Sequence, residues 1–157
     1  MSSLSLPQGQ AEILNRLAQL TPDSPRRWGR MTVNQMLCHL ADSYSLALGA
    51  KQASPMPVLI PRPVMKWVAL NVPMRWPKNL ATRPEMAQEF GGTPPVGFEE
   101  DRRRLVEILK SFCESERNFA SIEHPIFLRM KHAEWLRCLP HCRQQNPREP
   151  KTQIAVP

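Results

Sequence analysis

The chain has 157 residues and a formal charge of +7 at pH 7, a length that suits one domain with a sizeable core and leaves little room for a second. Apolar residues make up 41% of it, which excludes a chain disordered by composition, and no run approaches the ~18–20 uninterrupted apolar residues that a bilayer span needs. A sequence pI near 9.8 admits a nucleic-acid partner, but the basic residues (Arg26, Arg27 and Arg30; Arg102, Arg103 and Arg104; Arg143, Arg148 and Lys151) are scattered, with no aromatic residues interleaved for base stacking. They read as solvated surfaces plus a basic tail, and nucleic acid is not the expected partner.

The opening "MSSLSLPQGQ" has neither a basic start nor an apolar signal core, so the chain is expected to be untargeted and cytoplasmic. The first helix is expected over Gln10 to Leu20, where Ile13, Leu14, Leu17 and Leu20 recur at helical spacing and Thr21-Pro22 ends the run. The second is "MTVNQMLCHLADSYSLALG". Thr32 and Gln35 fit a capping box, Met36, Leu37, Leu40, Tyr44, Ala47 and Leu48 form a broad apolar face, and Gly49 is a natural stop. His39 falls on or beside that face, and Asp42, three residues on, reads first as a solvated helix residue and second as a carboxylate that could orient the imidazole.

Residues 50 to 95 are rich in proline. "PVMKWVALNV" suits a short helix starting with Pro63 at its first position, and "VLI" at Val58 to Ile60 is the one strand-like run, too short to build a sheet. "PMRWPKNLATRPEMAQEFGGTPP" reads as a long connection; its Gly91-Gly92-Thr93 lacks the lysine and the strand–helix setting of a phosphate loop. A strong helix is expected from near Phe98, with acids in its first turn, an apolar stripe of Leu105, Ile108, Leu109 and Phe112, and an i,i+4 pair between Glu100 and Arg104. The last helix is expected over Met130 to Leu139, burying Ala133, Trp135, Leu136 and Leu139, with Pro140 breaking it and a mobile basic tail beyond. Helices of this length without a strand pattern imply an all-α bundle.

The chemistry-bearing residues are few. Cys38, Cys113, Cys138 and Cys142 show no Cys-x-x-Cys spacing, and Cys38 and Cys113 read as small buried apolar residues. His124 precedes a proline and belongs in an extended or turn segment, and His132 reads as an exposed or capping residue. His39 is the best candidate ligand, because an imidazole on the inner face of a bundle helix can hold a transition metal if facing helices supply partners. The plain alternative is a core histidine hydrogen-bonded to a neighbour.

Three stretches, "RRWGRMTVNQMLCHLADSYSLALG", "RPEMAQEFGGTPPVGFEEDRRRLVEILKSF" and "HPIFLRMKHAEWLR", together resemble an uncharacterised bacterial branch of the DinB-like (DinB/YfiT-like) proteins over most of Trp28 to Arg137. The resemblance implies an up-down-down-up four-helix bundle, here over residues 1–140 with a long proline-rich connection and a tail over 141–157, and commonly a homodimer. It also implies a divalent metal, zinc or nickel, held by three histidines and used on a small-molecule substrate in thiol transfer or hydrolysis. The second-helix ligand carries over to His39. The chain's end departs from the family pattern: "LRCLPHCRQQ" follows Glu134-Trp135, so His141 alone stands where several histidines are expected, with Cys138 or Cys142 as further donors. The alternative expectation is a non-enzymatic dimerisation or binding domain that has lost the metal site.

Overall fold

The computed structural model describes residue 4 and residues 7–25, 30–57, 59–72, 83–115, 119 and 122–143, with the backbone alone for 137 and 139–143. The described chain is mostly helical. It runs α1 (Pro7–Ala18), α2 (Val33–Ala47), α3 (Arg62–Asn71), a 3-10 turn (Pro84–Met86), α4 (Phe98–Glu114), β1 (Glu123–His124), β2 (Leu128–Arg129) and α5 (His132–Arg143). Among the described residues no helix is long and apolar enough to cross a membrane.

The central pair is α2 and α4, which make the most extensive contact among the described elements, with α1 against α4 and α5 against both α2 and α3. α2 starts where the capping box predicts. Thr32 Oγ1 accepts from the Gln35 N–H at 3.2 Å, and Gln35 Oε1 accepts from the Thr32 N–H at 2.8 Å. It ends in a Schellman turn: the Ala50 N–H reaches the Ser45 carbonyl at 2.9 Å and the Gly49 N–H reaches the Leu46 carbonyl at 2.9 Å. Gly49 takes φ +73° there, which L side chains rarely adopt, and an added Cβ would stand 3.3 Å from Ile122 Cδ1.

The buried face of α2 is rotated from the expected one. Leu37, Cys38, Ala41, Asp42 and Tyr44 are buried, whereas Met36, Leu40 and Leu48 are only partly covered. α4 buries Leu105, Leu109 and Phe112 as its spacing predicts, with Ile108 at the edge. Its acid–base pair forms between Glu99 and Arg102, not Glu100 and Arg104, and this leaves the Arg102 guanidinium 5.3 Å over the Phe98 ring. Tyr44, Phe112 and Phe119 continue the core as an aromatic series, with ring centroids 5.3 and 5.7 Å apart.

The strand-like run at 58–60 builds no sheet among the described residues, in line with its length: Leu59 and Ile60 are exposed, and Val58 lies outside the described residues. Other expectations are corrected. The strand pair that does form is β1–β2, antiparallel, matching Glu123 with Arg129 and His124 with Leu128. Pro140 does not end α5, whose backbone continues to Arg143. A proline there lacks the N–H that would reach the Leu136 carbonyl, so the helix continues with that one bond missing. Finally, α1 begins at Pro7, three residues before the expected start at Gln10, and stops at Ala18, two before the expected end at Leu20. Of the tail expected over 141–157, residues 141–143 belong to α5, and 144–157 lie outside the described residues, as do Trp28 and Gly29.

Candidate functional site

His39 stands half-buried in the middle of α2, and its ring is tied to the segment that crosses over that helix. Nδ1 lies 2.9 Å from the Met86 carbonyl oxygen. A carbonyl only accepts, so Nδ1 carries the proton and the lone pair is left on Nε2. This is the arrangement in which metal-ligating histidines are held, with one ring N–H fixed by a backbone carbonyl and the other nitrogen free to coordinate. It also explains the placement of the 3-10 turn, which is joined a second time where Glu85 Oε1 accepts from the Ser54 N–H at 3.3 Å.

Asp42 neither orients His39 nor faces solvent. Its side chain is 1% exposed and lies under a polar node. Oδ2 accepts from the Thr93 N–H at 2.8 Å and pairs with Lys51 Nζ at 2.7 Å; Oδ1 accepts from Thr93 Oγ1 at 2.7 Å. Gln88 Nε2 adds a longer bond of 3.3 Å. Burial pushes the carboxyl upward, but the bonds from Lys51 and Thr93 outweigh it and hold the group below its ordinary value. The sequence pattern missed this because Lys51 and Thr93 are brought to Asp42 by turns. The left-handed Gly49 returns Lys51 along α2, and the compact turn after the 3-10 segment delivers Thr93. In that turn the Gly91 N–H bonds to the Pro84 carbonyl and the Gly92 N–H to the Ala87 carbonyl. A Cβ on Gly92 would sit 2.7 Å from the Ala87 carbonyl carbon, so the two glycines serve a close backbone approach and not a phosphate.

His124 lies in β1, as its following proline predicts. Its Nδ1 accepts from the Ile126 N–H at 3.1 Å and the Phe127 N–H at 3.3 Å, so the proton of the neutral ring is on Nε2. The ring stacks on Phe127 at 4.7 Å and tilts against Trp135 at 5.1 Å. Burial pushes its pKa down to about 4. It lines a cleft of about 550 Å³ between the end of α2, the 51–55 segment and the β1–β2 hairpin. The hairpin carries a left-handed backbone at Leu128, φ 57°.

His132 is not an exposed or capping residue. It is half-buried at the start of α5, stacked 4.3 Å from Phe119 and edge-on to Phe112 at 5.5 Å, and its Nε2 finds no partner among the described residues. Cys38 is buried as expected and Cys113 is half-buried. Burial first and the Asp101 carboxylate second push the Cys38 thiol up to about 12, and burial pushes Cys113 up to about 11. Both are poor nucleophiles at neutral pH.

The described histidines lie on different elements, His39 mid-α2, His124 in the hairpin and His132 in the aromatic core, while the backbone of His141 falls on the last turn of α5 with its side chain outside the described residues. Among the described residues no group of three His, Cys, Asp or Glu side chains could hold a metal. Among the described histidines, His39 has one ring N–H held by a backbone carbonyl and the other nitrogen left to coordinate. No family model, curated protein or solved structure matches this chain.

Proposed function

We propose that the chain is a DinB-like four-helix-bundle protein that holds a divalent metal, zinc or nickel, through His39 Nε2 with His141 as the second ligand, and handles a small molecule there. One observation supports this reading: the Nδ1–Met86 bond, which fixes the His39 tautomer and leaves a ligating nitrogen. The described donors stop short of three, so the cation is held weakly and no bond-making step is assigned to it. When bound, such a cation polarises a carbonyl or lowers the pKa of a bound water or thiol. The experiment is metal analysis of the purified protein after equilibration with zinc or nickel. Substoichiometric metal that falls in both His39→Ala and His141→Ala, with circular dichroism unchanged, supports the reading. Negligible metal in the wild-type protein, or the same content in all three, removes it.

A second reading is a non-enzymatic homodimerisation or binding module. It is favoured by the apolar surface on and before α3, where Leu59, Ile60, Val64 and Trp67 are 105%, 53%, 52% and 61% exposed. Light scattering that gives a dimer with or without chelator supports it, and a monomer at all concentrations removes it.

A further inference from the structure

α3 is turned the opposite way from an ordinary solvated helix, which puts its charges outward. Pro63, Val64, Trp67 and Asn71 recur at helical spacing on its exposed side, and that side carries no charge. Its two cations are half-buried and turned toward the protein. Arg62 donates to the carbonyls of Pro125 at 3.2 Å, Ile126 at 3.2 Å and Met56 at 2.9 Å. Lys66 Nζ lies 2.8 Å from the Arg129 carbonyl and 2.7 Å from Glu134 Oε2. Met65, Ala69 and Leu70 pack against the core. The helix is thus apolar on two sides, of which one is covered among the described residues.

The apolar surface continues into the turn before α3, where Leu59 is 105% and Ile60 53% exposed. Residues 56 and 62, on either side of that pair, are tied to each other and to the hairpin: Arg62 holds the Met56 carbonyl, and the Met56 N–H bonds to the Pro125 carbonyl at 2.8 Å. A base braced in this way lowers the cost of ordering on contact.

Charge indicates what covers this surface. Between Asp42 and Glu85 the sequence has no acidic residue and carries Lys51, Arg62, Lys66, Arg75, Lys78 and Arg83. Lys51 and Arg83 have Asp42 and Glu85 beside them, and Arg129 stands opposite Glu123 across the hairpin, so these are counted as balanced. Arg62 meets only neutral carbonyls. Lys66 shares Glu134 Oε2 with the N–H of the exposed Lys131. Behind the apolar face, three cations therefore stand against one carboxylate. A helix is ~10 Å across, about one Debye length at physiological salt, so these charges still attract a negative surface lying on its far side. A second copy docked here would set one acid-free face against another. A bilayer with anionic headgroups supplies an apolar interior and a negative surface together. Trp67 suits that boundary, with an apolar ring and a polar N–H.

We propose that Leu59, Ile60, Val64 and Trp67 insert into the face of an anionic lipid bilayer, with α3 lying along it and Arg62, Lys66 and Lys131 supplying the attraction from behind. The chain rests on the bilayer and does not cross it. The proposal is independent of the metal reading, and it gives the surface of the second reading a partner other than a second copy.

The test is co-sedimentation of the full chain with phosphatidylcholine vesicles, with and without phosphatidylglycerol. The chain should pellet with the anionic vesicles, bind the neutral ones about tenfold or more weakly, and be released as salt rises. Leu59→Ser should weaken binding about tenfold, and Leu59→Ser/Trp67→Ser about a hundredfold, since each removes an inserted apolar side chain. Both side chains are exposed, so the fold is retained, which circular dichroism verifies. Light scattering of the same proteins without lipid reads the oligomeric state separately, so this proposal and the homodimer can each fail alone. No pelleting with anionic vesicles, equal binding to both kinds, or unchanged binding of the double variant overturns the proposal. So does a dimer that the double variant abolishes in a protein that binds no vesicle, which assigns the surface to a second copy.

Discussion

Replacing Asp42 by alanine should cost more stability than any other single polar substitution in the described chain. The carboxylate is 1% exposed and receives two bonds from Thr93 at 2.8 and 2.7 Å, one from Gln88 at 3.3 Å and an ion pair from Lys51 at 2.7 Å. Breaking a buried pair by removing one partner costs about 3–5 kcal/mol, because the survivor is left uncompensated. Here the survivor, Lys51, keeps 20% side-chain exposure and can recover some hydration. The Thr93 N–H has no such recourse. The expected loss is therefore at the low end, about 3 kcal/mol. For a chain of this length that is a fall of roughly 6–12 °C in Tm. Urea unfolding followed by far-UV circular dichroism measures it directly. The double variant Asp42→Ala/Lys51→Met removes both charges, so it should recover part of the loss and give a coupling energy above ~1 kcal/mol. The pH dependence has a definite sign. A carboxyl held below its ordinary value of 3.8 when folded contributes stability that is complete above 3.8 and is lost as the pH falls through the lower folded pKa. Asp42→Asn should flatten that acid limb. Asp42→Ala within ~1 kcal/mol of the wild type, or a cycle with no coupling to Lys51, would refute the reasoning.

His124 should not titrate near neutrality. Its ring resonances are expected to shift with a midpoint near pH 4 in place of the usual 6.5, and a base that protonates more readily when unfolded weakens the fold as pH drops from 6.5 toward 4; a midpoint close to 6.5 would contradict the packing described. The thiols of Cys38 and Cys113, pushed up to about 12 and 11, should resist alkylation at pH 8 in the native protein and react once urea unfolds it, as read by peptide mass spectrometry. Equal labelling in both states would count against their burial. Gly49→Ala should lose about 1–2 kcal/mol in the same urea assay, because alanine at φ +73° is strained and its methyl would press on Ile122; a neutral result would mean that the turn relaxes.

The helices are largely legible in the sequence. The capping box at Thr32, the glycine stop at Gly49 and the stripe of Leu105, Leu109 and Phe112 are local signals, each read from residues within one or two turns of each other. The candidate site was legible only as a list of residue types. His39 could be picked out by its helical position, but its tautomer depends on the Met86 carbonyl, 47 residues away. Asp42 looked like a surface acid because its partners, Lys51 and Thr93, reach it only after two turns fold back. His132 looked like an exposed residue because Phe119 reaches it through a segment with no helical period of its own.

The sequence by itself determined that the helices exist, where the capped α2 starts and which helices are amphipathic, since these follow from backbone hydrogen bonding and from the spacing of apolar side chains along one segment. Tertiary structure alone decided how α2 is rotated against α4, that Pro140 is carried within α5, which polar groups are buried and how they are satisfied, and that a cleft opens between the end of α2 and the hairpin. The physical reason is that burial and ionisation depend on groups distant along the chain, and their positions are set only when the turns bring the elements together.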